Sequence, residues 1–344
     1  MKKLRVLVLT HPTLVPPESL EGLDEARIEE IRTEYDVVMN LRAAGHEVRV
    51  LGVLDSLAEL RAAITEWQPH VCFNLLEEFG GIVAYDHHVV AFLELMRQPY
   101  TGCNPRGMML SRDKVLSKQL LAYHRIPTPH FAVFRRGRRL QVPHKLRYPL
   151  FVKSATDDAS LGISQASVVE DEARLKERVQ FIHEQTGSDA LVEEFIEGRE
   201  LYVGVLGNDR LSVFPTWELS FGSLGDSSAA IATRKVKWDS RYKARYGIST
   251  GAAQDLPDGT AARLERLVRR IYRGLYLTGY ARMDFRMRAD GSLYVLEANA
   301  NPMLASTEDF SRSAASGGIA YPELLQRILS LGFSFRSEWR KQEA

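Results

Sequence analysis

The feature that most limits what this chain can become is an alternation within its first hundred residues. The short apolar run Val6-Leu7-Val8-Leu9 gives way to a helical segment from Asp24 to Ala44, closed by Gly45-His46, because glycine commonly sits just past a helix end. Glu47 to Leu51 reads as the next strand, Ser56 to Trp67 as another helix, and Val71 to Leu75 as a third strand. A β-α-β-α-β order predicts an open, mostly parallel sheet. A helix from Asp86 to Met96 then leads into the turn Pro99-Tyr100-Thr101-Gly102, read as a domain boundary.

At 344 residues the chain is too long for one simple core, since domains typically run to ~100–150 residues, and two or three packed subdomains are expected. Lys+Arg 45 against Asp+Glu 44 leaves a formal charge of +1, which gives no reason to expect a nucleic-acid or membrane partner. No apolar run reaches the ~18 residues of a membrane span. Met1-Lys2-Lys3 opens like a signal peptide, but the apolar run that follows ends at Thr10-His11-Pro12, too short for an h-region. Cys72 and Cys103 have no paired spacing, so neither a disulfide framework nor a structural zinc site is expected. Two buried thiols in a reducing cytoplasm fit instead, and the expected location is cytoplasmic.

Beyond the boundary, Ser111 to His124 reads as a helix stopped by Ile126-Pro127-Thr128-Pro129. Strand-like pieces follow at 131–134, 149–153 and 190–195, with a charged helix from Asp171 to Gln185 before the last of them. Strands at 201–206 and 211–214 precede a long polar stretch from Ser220 to Asp255. A loop of that length in a compact domain is usually functional or disordered. A helix from Thr260 to Leu277, strands at 281–288 and 292–298, and a helix from Tyr321 to Leu331 complete the pattern.

The most informative constellation is Arg282-Met283-Asp284-Phe285 with Leu296-Glu297-Ala298-Asn299. Two adjacent strands joined by the turn at 289–292 bring Asp284, Glu297 and Asn299 near one another, and Glu297 and Asn299, two apart, share a strand face. Two carboxylates and an amide oxygen form a hard oxygen set suited to Mg²⁺. Arg282, two residues before Asp284, sets a guanidinium beside that set, where it could stabilise charge on a transferring phosphate or an oxyanion. A hairpin with a surface ion pair has the same spacing. Lys153 ends a buried strand at a sheet edge, and the small-residue loop from Asp157 to Ile163 is either a phosphate cover or an exposed hairpin loop. Leu191 to Glu200 is a strand–turn able to meet a purine edge with main-chain groups and a ribose with a carboxylate.

In this order, Asp113-Lys114, Val152-Lys153, the Ser/Gly loop, Glu193 through Glu200, Arg282-Met283-Asp284-Phe285 and Glu297-Ala298-Asn299 resemble the ATP-grasp superfamily. Within it they are most similar to the D-alanine–D-alanine ligases, over about Val71 to Leu329. Leu93-Glu94-Leu95-Met96 with Pro99-Tyr100-Thr101-Gly102, and Asp113-Lys114 with Ser117-Lys118, are close matches to that family. The resemblance implies an α/β and α+β protein: an amino-terminal parallel-sheet (pre-ATP-grasp) domain at 1–102, followed by a two-subdomain ATP-grasp fold. Its central subdomain would span 103–197 and its carboxy-terminal subdomain 198–334, with a mobile loop at about 220–255 and a tail at 335–344.

The activity implied is that of a carboxylate–amine ligase that phosphorylates a donor carboxylate with ATP and lets an acceptor amine displace phosphate from the acyl phosphate. Carried over by position, Lys114 and Lys153 hold ATP phosphates. Glu193 and the backbone at Glu194, Phe195 and Ile196 meet adenine, and Glu200 meets the ribose. Asp284, Glu297 and Asn299 bind two Mg²⁺, with Mn²⁺ as an alternative, and Arg282 steadies the acyl phosphate and the tetrahedral oxyanion. Ser160 and Tyr246 join Arg282 as catalytic candidates. Arg245 and Tyr246 stand where the family's mobile loop carries a Lys-Tyr pair, whose closure excludes water. The resemblance alone implies a homodimer.

The amino-acid pockets depart from the family. Its glycine-rich amino-terminal loop is replaced by Thr10 to Glu18, in which Glu18 is the candidate for the donor-binding carboxylate. Its histidine segment becomes Leu76 to His88, with extra acids and His87-His88. The serine that joins the substrate network aligns with Ala159, while Ser160 is kept, and the serine that receives the acceptor carboxylate falls at about Glu308. A carboxylate there repels another and favours an amine or guanidinium. The expected substrates are small amino acids or peptides, joined by a ligase with an altered pocket. A true D-alanine–D-alanine ligase and a non-catalytic ATP-binding protein stay open as alternatives, although the retained Arg282 counts against the last.

Overall fold

The computed structural model describes residues 3–156, 163–224, 230–338 and 340. Strand β1 (Arg5–Thr10), helix α1 (Glu25–Ala43), β2 (Glu47–Gly52), α2 (Ala58–Trp67) and β3 (Val71–Asn74) alternate, and the strands pair in parallel in the order β2-β1-β3. The middle strand is covered on both faces, with Val6, Leu7, Val8 and Leu9 at most 2% exposed. Each such side chain stabilises the fold by about 1.5–3 kcal/mol. Asp24 caps α1, its carboxylate accepting from the Arg27 amide at 2.7 Å.

Helices α3 (Asp86–Leu95), α4 (Pro105–Arg112) and α5 (Lys114–Tyr123) follow. The single helix expected from Ser111 to His124 is instead the end of α4 and the whole of α5. Asp113 is extended (φ −73°, ψ 96°), ends α4, and caps α5 by accepting from the Leu116 amide at 2.9 Å. A side chain that bonds forward to the backbone competes with continuation of the helix, which apolar periodicity does not register.

A second sheet holds β4 (Phe131–Phe134), β5 (Leu150–Ser154), β6 (Val168–Val169) and β7 (Ala190–Glu194), antiparallel in the order β4-β7-β5-β6. Helix α6 (Glu172–Thr186) backs it, with Leu175, Val179 and Ile182 in one core with Val152 and Val192. A third, antiparallel sheet contains β8 (Arg199–Leu206), β9 (Ser212–Val213), β10 (Trp217–Ser220), β11 (Ser249–Ala252), β12 (Tyr280–Met287) and β13 (Leu293–Asn299). Its order is β11-β10-β8-β12-β13, with β9 paired to β8. The parallel sheet followed by two antiparallel ones is the expected fold class.

The described part of 220–255 is not one open loop. It contains α7 (Arg234–Trp238), α8 (Ser240–Tyr246) and β11, and Val236, Tyr242 and Tyr246 pack with Trp217 and Phe221. Helix α9 (Thr260–Gly274) places Leu264, Val268 and Ile271 in one core with Met283, Phe285 and Met287 of β12. Strand alternation therefore turns Arg282, Asp284 and Arg286 to the other face.

On β13 the register shifts: Asp284 pairs with Glu297 but Phe285 with Val295, so Leu296 is an extra residue. Before it, Leu293 and Val295 are in the core; after it, Ala298 and Ala300 are. The inserted residue turns Glu297 and Asn299 onto the face that carries Asp284.

Helices α10 (Asp309–Ser316) and α11 (Tyr321–Ser334) complete the order, and α11 packs Leu324, Leu325, Ile328 and Leu329 into one core with Val6, Val8, Val37 and Val38. Past α11, Phe335 meets Tyr100 edge-on at 6.0 Å and its carbonyl accepts from the Arg340 guanidinium at 2.9 Å, so part of the expected tail is held. No helix among the described residues is long and apolar enough to cross a membrane.

Candidate active site

The second and third sheets bring charged groups together around Glu297. Lys114 opens α5, Lys153 lies on β5, Lys237 on α7 and Arg282 on β12, and all four act on the Glu297 carboxylate. Burial alone would raise its pKa, but these cations hold it down at about 2. Glu297 accepts no hydrogen bond among the described residues. An ionised carboxylate without a donor, two positions from the Asn299 amide and opposite Asp284, fits a divalent cation through hard oxygens.

Arg282 is fixed in place. Its Nε and Nη2 donate to the two oxygens of Asp284 at 2.8 Å each, and its guanidinium lies 4.7 Å from the centre of the Tyr202 ring. Burial would lower the arginine's pKa, yet Asp284 raises it, so its charge is permanent. Burial and the nearby Glu297 push Asp284 up, against the pull of Arg282.

The next pair on the same strand faces is Glu200 with Arg286. Glu200 accepts from the Tyr202 hydroxyl at 2.8 Å and from Arg286 at 2.7 Å, while Arg286 also donates to the Gly198 carbonyl at 2.8 Å. Gly198 is required there: its φ is +137°, and a Cβ would stand 2.0 Å from the Met287 carbonyl oxygen. Glu200 is thus held rigidly, each oxygen retaining lone pairs for a hydroxyl.

Glu193 on β7 is clamped between two lysines, Lys153 at 2.8 Å and Lys118 at 2.8 Å, the latter 2% exposed and also 3.3 Å from the Thr128 hydroxyl. Burial would raise the Glu193 pKa, but the two ammonium groups lower it, while burial lowers that of Lys118. The Glu194 and Phe195 amides donate to the His130 and Pro149 carbonyls. That leaves the Ile196 amide without an acceptor among the described residues, at the place expected to meet a purine edge.

Other expected residues lie apart. Glu18 is on the surface, 83% exposed at its side chain and paired with Arg42 at 2.8 Å. Tyr246 packs on Tyr242 at 4.8 Å, with the exposed Arg245 over the same Tyr246 ring at 5.3 Å. Both contacts are local, and it is Lys237, earlier in the same polar stretch, that brings positive charge to Glu297. Ser160 lies outside the described residues. Glu308 sits at the start of α10, half-buried, and burial with the adjacent Asp309 raises its pKa against the pull of Arg282.

Three charged residues carry no role in the motifs as read from the sequence. Lys118 follows Lys114 by one helical turn, a spacing that puts both on one face of α5. Glu34 interrupts the apolar row Ile31, Val38, Leu41 on α1 and is 4% exposed, its carboxylate accepting from the Thr10 hydroxyl at 3.4 Å. Burial raises its pKa to about 7, and the nearby Glu77 adds to this. An acid on an apolar helix face was the available signal. Lys237 had none, being one cation of a basic run.

A family model described as D-ala D-ala ligase C-terminus matches residues 120–330. The chain is 35% identical over 263 residues to an uncharacterized protein, y4sG, of Sinorhizobium fredii, covering 75% of this chain and 73% of that protein. It is 31% identical over 324 residues to the D-alanine–D-alanine ligase of Syntrophotalea carbinolica, covering 92% and 94%. The crystal structure of D-alanine–D-alanine ligase from Bacillus anthracis complexed with ATP matches 99% of this chain and 100% of that one, with a TM-score of 0.73 at 22% identity, a likeness of fold. The match across more than half the chain, with relatives above 30% identity along most of its length, makes this protein a member of the D-alanine–D-alanine ligase family of the ATP-grasp superfamily.

Proposed function

We propose that this family member is an ATP-dependent carboxylate–amine ligase whose acceptor carries a cationic group where the family's acceptor carries a carboxylate. The observation that carries the ligase reading is the convergence of Lys114, Lys153, Lys237 and Arg282 on Glu297, beside Asp284. Phosphoryl transfer is mostly positioning and charge neutralisation, and these groups supply both.

In the proposed reaction a donor carboxylate oxygen attacks the γ-phosphorus of ATP and ADP leaves. The acceptor amine then attacks the acyl carbon, loses a proton, and phosphate departs. Lys114 and Lys153 hold the phosphates, the Ile196 amide meets the purine, and Glu200 receives the ribose. Arg282, already oriented by Asp284 and Tyr202, stabilises the oxyanion of the tetrahedral intermediate. A divalent cation held by Asp284, Glu297 and Asn299 would neutralise charge on the β- and γ-phosphate oxygens. Glu34 and Glu77, at the carboxyl edge of the parallel sheet, are better placed than Glu18 to receive an ammonium group.

Glu308 supports the cationic acceptor, since it lies within reach of Arg282 at the start of α10. The second reading, a D-alanine–D-alanine ligase, is favoured by 31% identity to such a ligase over most of the chain. It needs a new group for the acceptor carboxylate, and Ser306 is engaged: its amide and hydroxyl both donate to Asp36, at 2.8 and 2.7 Å. Arg312 lies over the Trp217 ring at 5.3 Å.

The test is ADP release with Mg²⁺ across D- and L-amino acids, dipeptides and diamines, singly and in pairs, with products identified by mass spectrometry. Highest turnover with a cationic acceptor is expected. Highest turnover with D-alanine alone would remove the altered acceptor and keep the ligase. Absence of ADP release with every pair would count against both.

A further inference from the structure

We propose that the half-open cleft between the β4–β5 connection and α6 is a second anion site, taking a small oligophosphate. The cleft has a volume of about 440 Å³ and shares no residue with the candidate active site. That is the size of a small-molecule pocket. Arg135, Arg138, Arg139 and Lys176 line it over a wall that includes Phe134 and Val179, and no aspartate or glutamate is among its lining residues.

The local sequence explains the arrangement. In Arg135-Arg136-Gly137-Arg138-Arg139, Gly137 has φ +72° and the Arg138 amide donates to the Arg135 carbonyl at 3.1 Å. This turn doubles the chain back, so that Arg135 before the glycine and Arg138 and Arg139 after it all line the cleft. The guanidinium groups of Arg135, Arg138 and Arg139 make no hydrogen bond or ion pair among the described residues. Lys176 is paired with Glu172 at 2.6 Å along its own helix. His183 bonds the Phe134 carbonyl at 2.8 Å, which ties α6 to the far wall. The Asp189 carboxylate accepts from the Arg136 amide and is not part of the lining.

Three guanidinium groups gathered in one cleft stand out in a chain whose formal charge is only +1. Like charges held together repel, and an anion that enters relieves the repulsion. Arginine forks match phosphate oxygens, and several of them suit linked phosphates better than a single carboxylate. A cleft of limited volume with an apolar wall favours a compact ligand over a nucleic-acid backbone, which would need an extended basic surface.

The experiment is calorimetric titration of the full chain with inorganic tripolyphosphate at low salt, with and without a saturating non-hydrolysable ATP analogue. The nucleotide-loaded chain should still bind tripolyphosphate, and R138A/R139A should weaken that binding at least ~tenfold, the scale of losing charge-assisted contacts. Both arginines are exposed, so the variant should keep its fold and its ligase turnover. If the analogue fails to bind, the difference between wild type and variant without it still reads the cleft. Undiminished binding in R138A/R139A overturns the proposal. So does displacement of tripolyphosphate from the cleft by a short single-stranded RNA that binds more tightly.

Discussion

Arg282 is oriented before any substrate arrives, by two bonds to Asp284 and the face of Tyr202. Arg282→Ala should lower kcat at least ~100-fold, the scale of losing one oxyanion donor, with a much smaller change in the KM for ATP. Turnover near wild type would exclude the role. Glu34 makes a different prediction. Its pKa rises from 4.5 to about 7 on folding, through burial first, with Glu77 adding to it. The folded state therefore binds the proton more tightly, and stability falls as pH rises from about 4.5 to about 7, by up to about 3 kcal/mol. Glu34→Gln should flatten the melting temperature across that window and melt above wild type at pH ~8; parallel profiles for the two proteins would refute this. Residue types at fixed spacing made Asp284, Glu297 and Asn299 legible. The surface position of Glu18 was not, because a loop's path depends on what it packs against.

Among the elements, β7 and α5 are joined through Glu193 and its two lysines. Glu193→Gln leaves Lys118 and Lys153 without their shared counter-charge and should cost about 3–5 kcal/mol of stability, read by urea denaturation. A cost below about 1 kcal/mol, the surface-pair range, would show that the clamp is relaxed by water. The alternation that gives the parallel sheet was legible because each strand is a short apolar run between helical segments. The break at Asp113 was hidden, since it depends on which backbone amide its carboxylate meets. The extra residue at Leu296 was hidden too, because an unbroken apolar run, Leu293-Tyr294-Val295-Leu296, does not mark which residue is extra. Yet that one residue turns Glu297 and Asn299 away from the core. The polar stretch 220–255 read as loop because α7 and α8 are short and stabilised by packing on Trp217 and Phe221, not by their own periodicity.

Across the whole molecule, the second and third sheets meet where Lys114, Lys153, Lys237 and Arg282 surround Glu297. A nucleotide that neutralises those cations should draw α7 and α8 inward. Amides of 234–246 should exchange with deuterium more slowly once a non-hydrolysable ATP analogue and Mg²⁺ are added. Unchanged exchange in that segment, with the analogue bound, would separate α7 and α8 from nucleotide binding. The core that joins Val6, Val8, Val37 and Val38 to Leu324, Leu325, Ile328 and Leu329 bears on synthesis. The parallel sheet is complete at Asn74, but the second helix of this face, α11, begins only at Tyr321. At about 5–20 residues per second, the ribosome needs about 10–50 s to deliver it. Throughout that interval the part of this face that α11 covers stays open, while α1 already packs on the rest. A chain halted before Tyr321 would present that part to chaperones and proteases, so the supply of competent protein is gated by a helix that carries none of the candidate site's side chains.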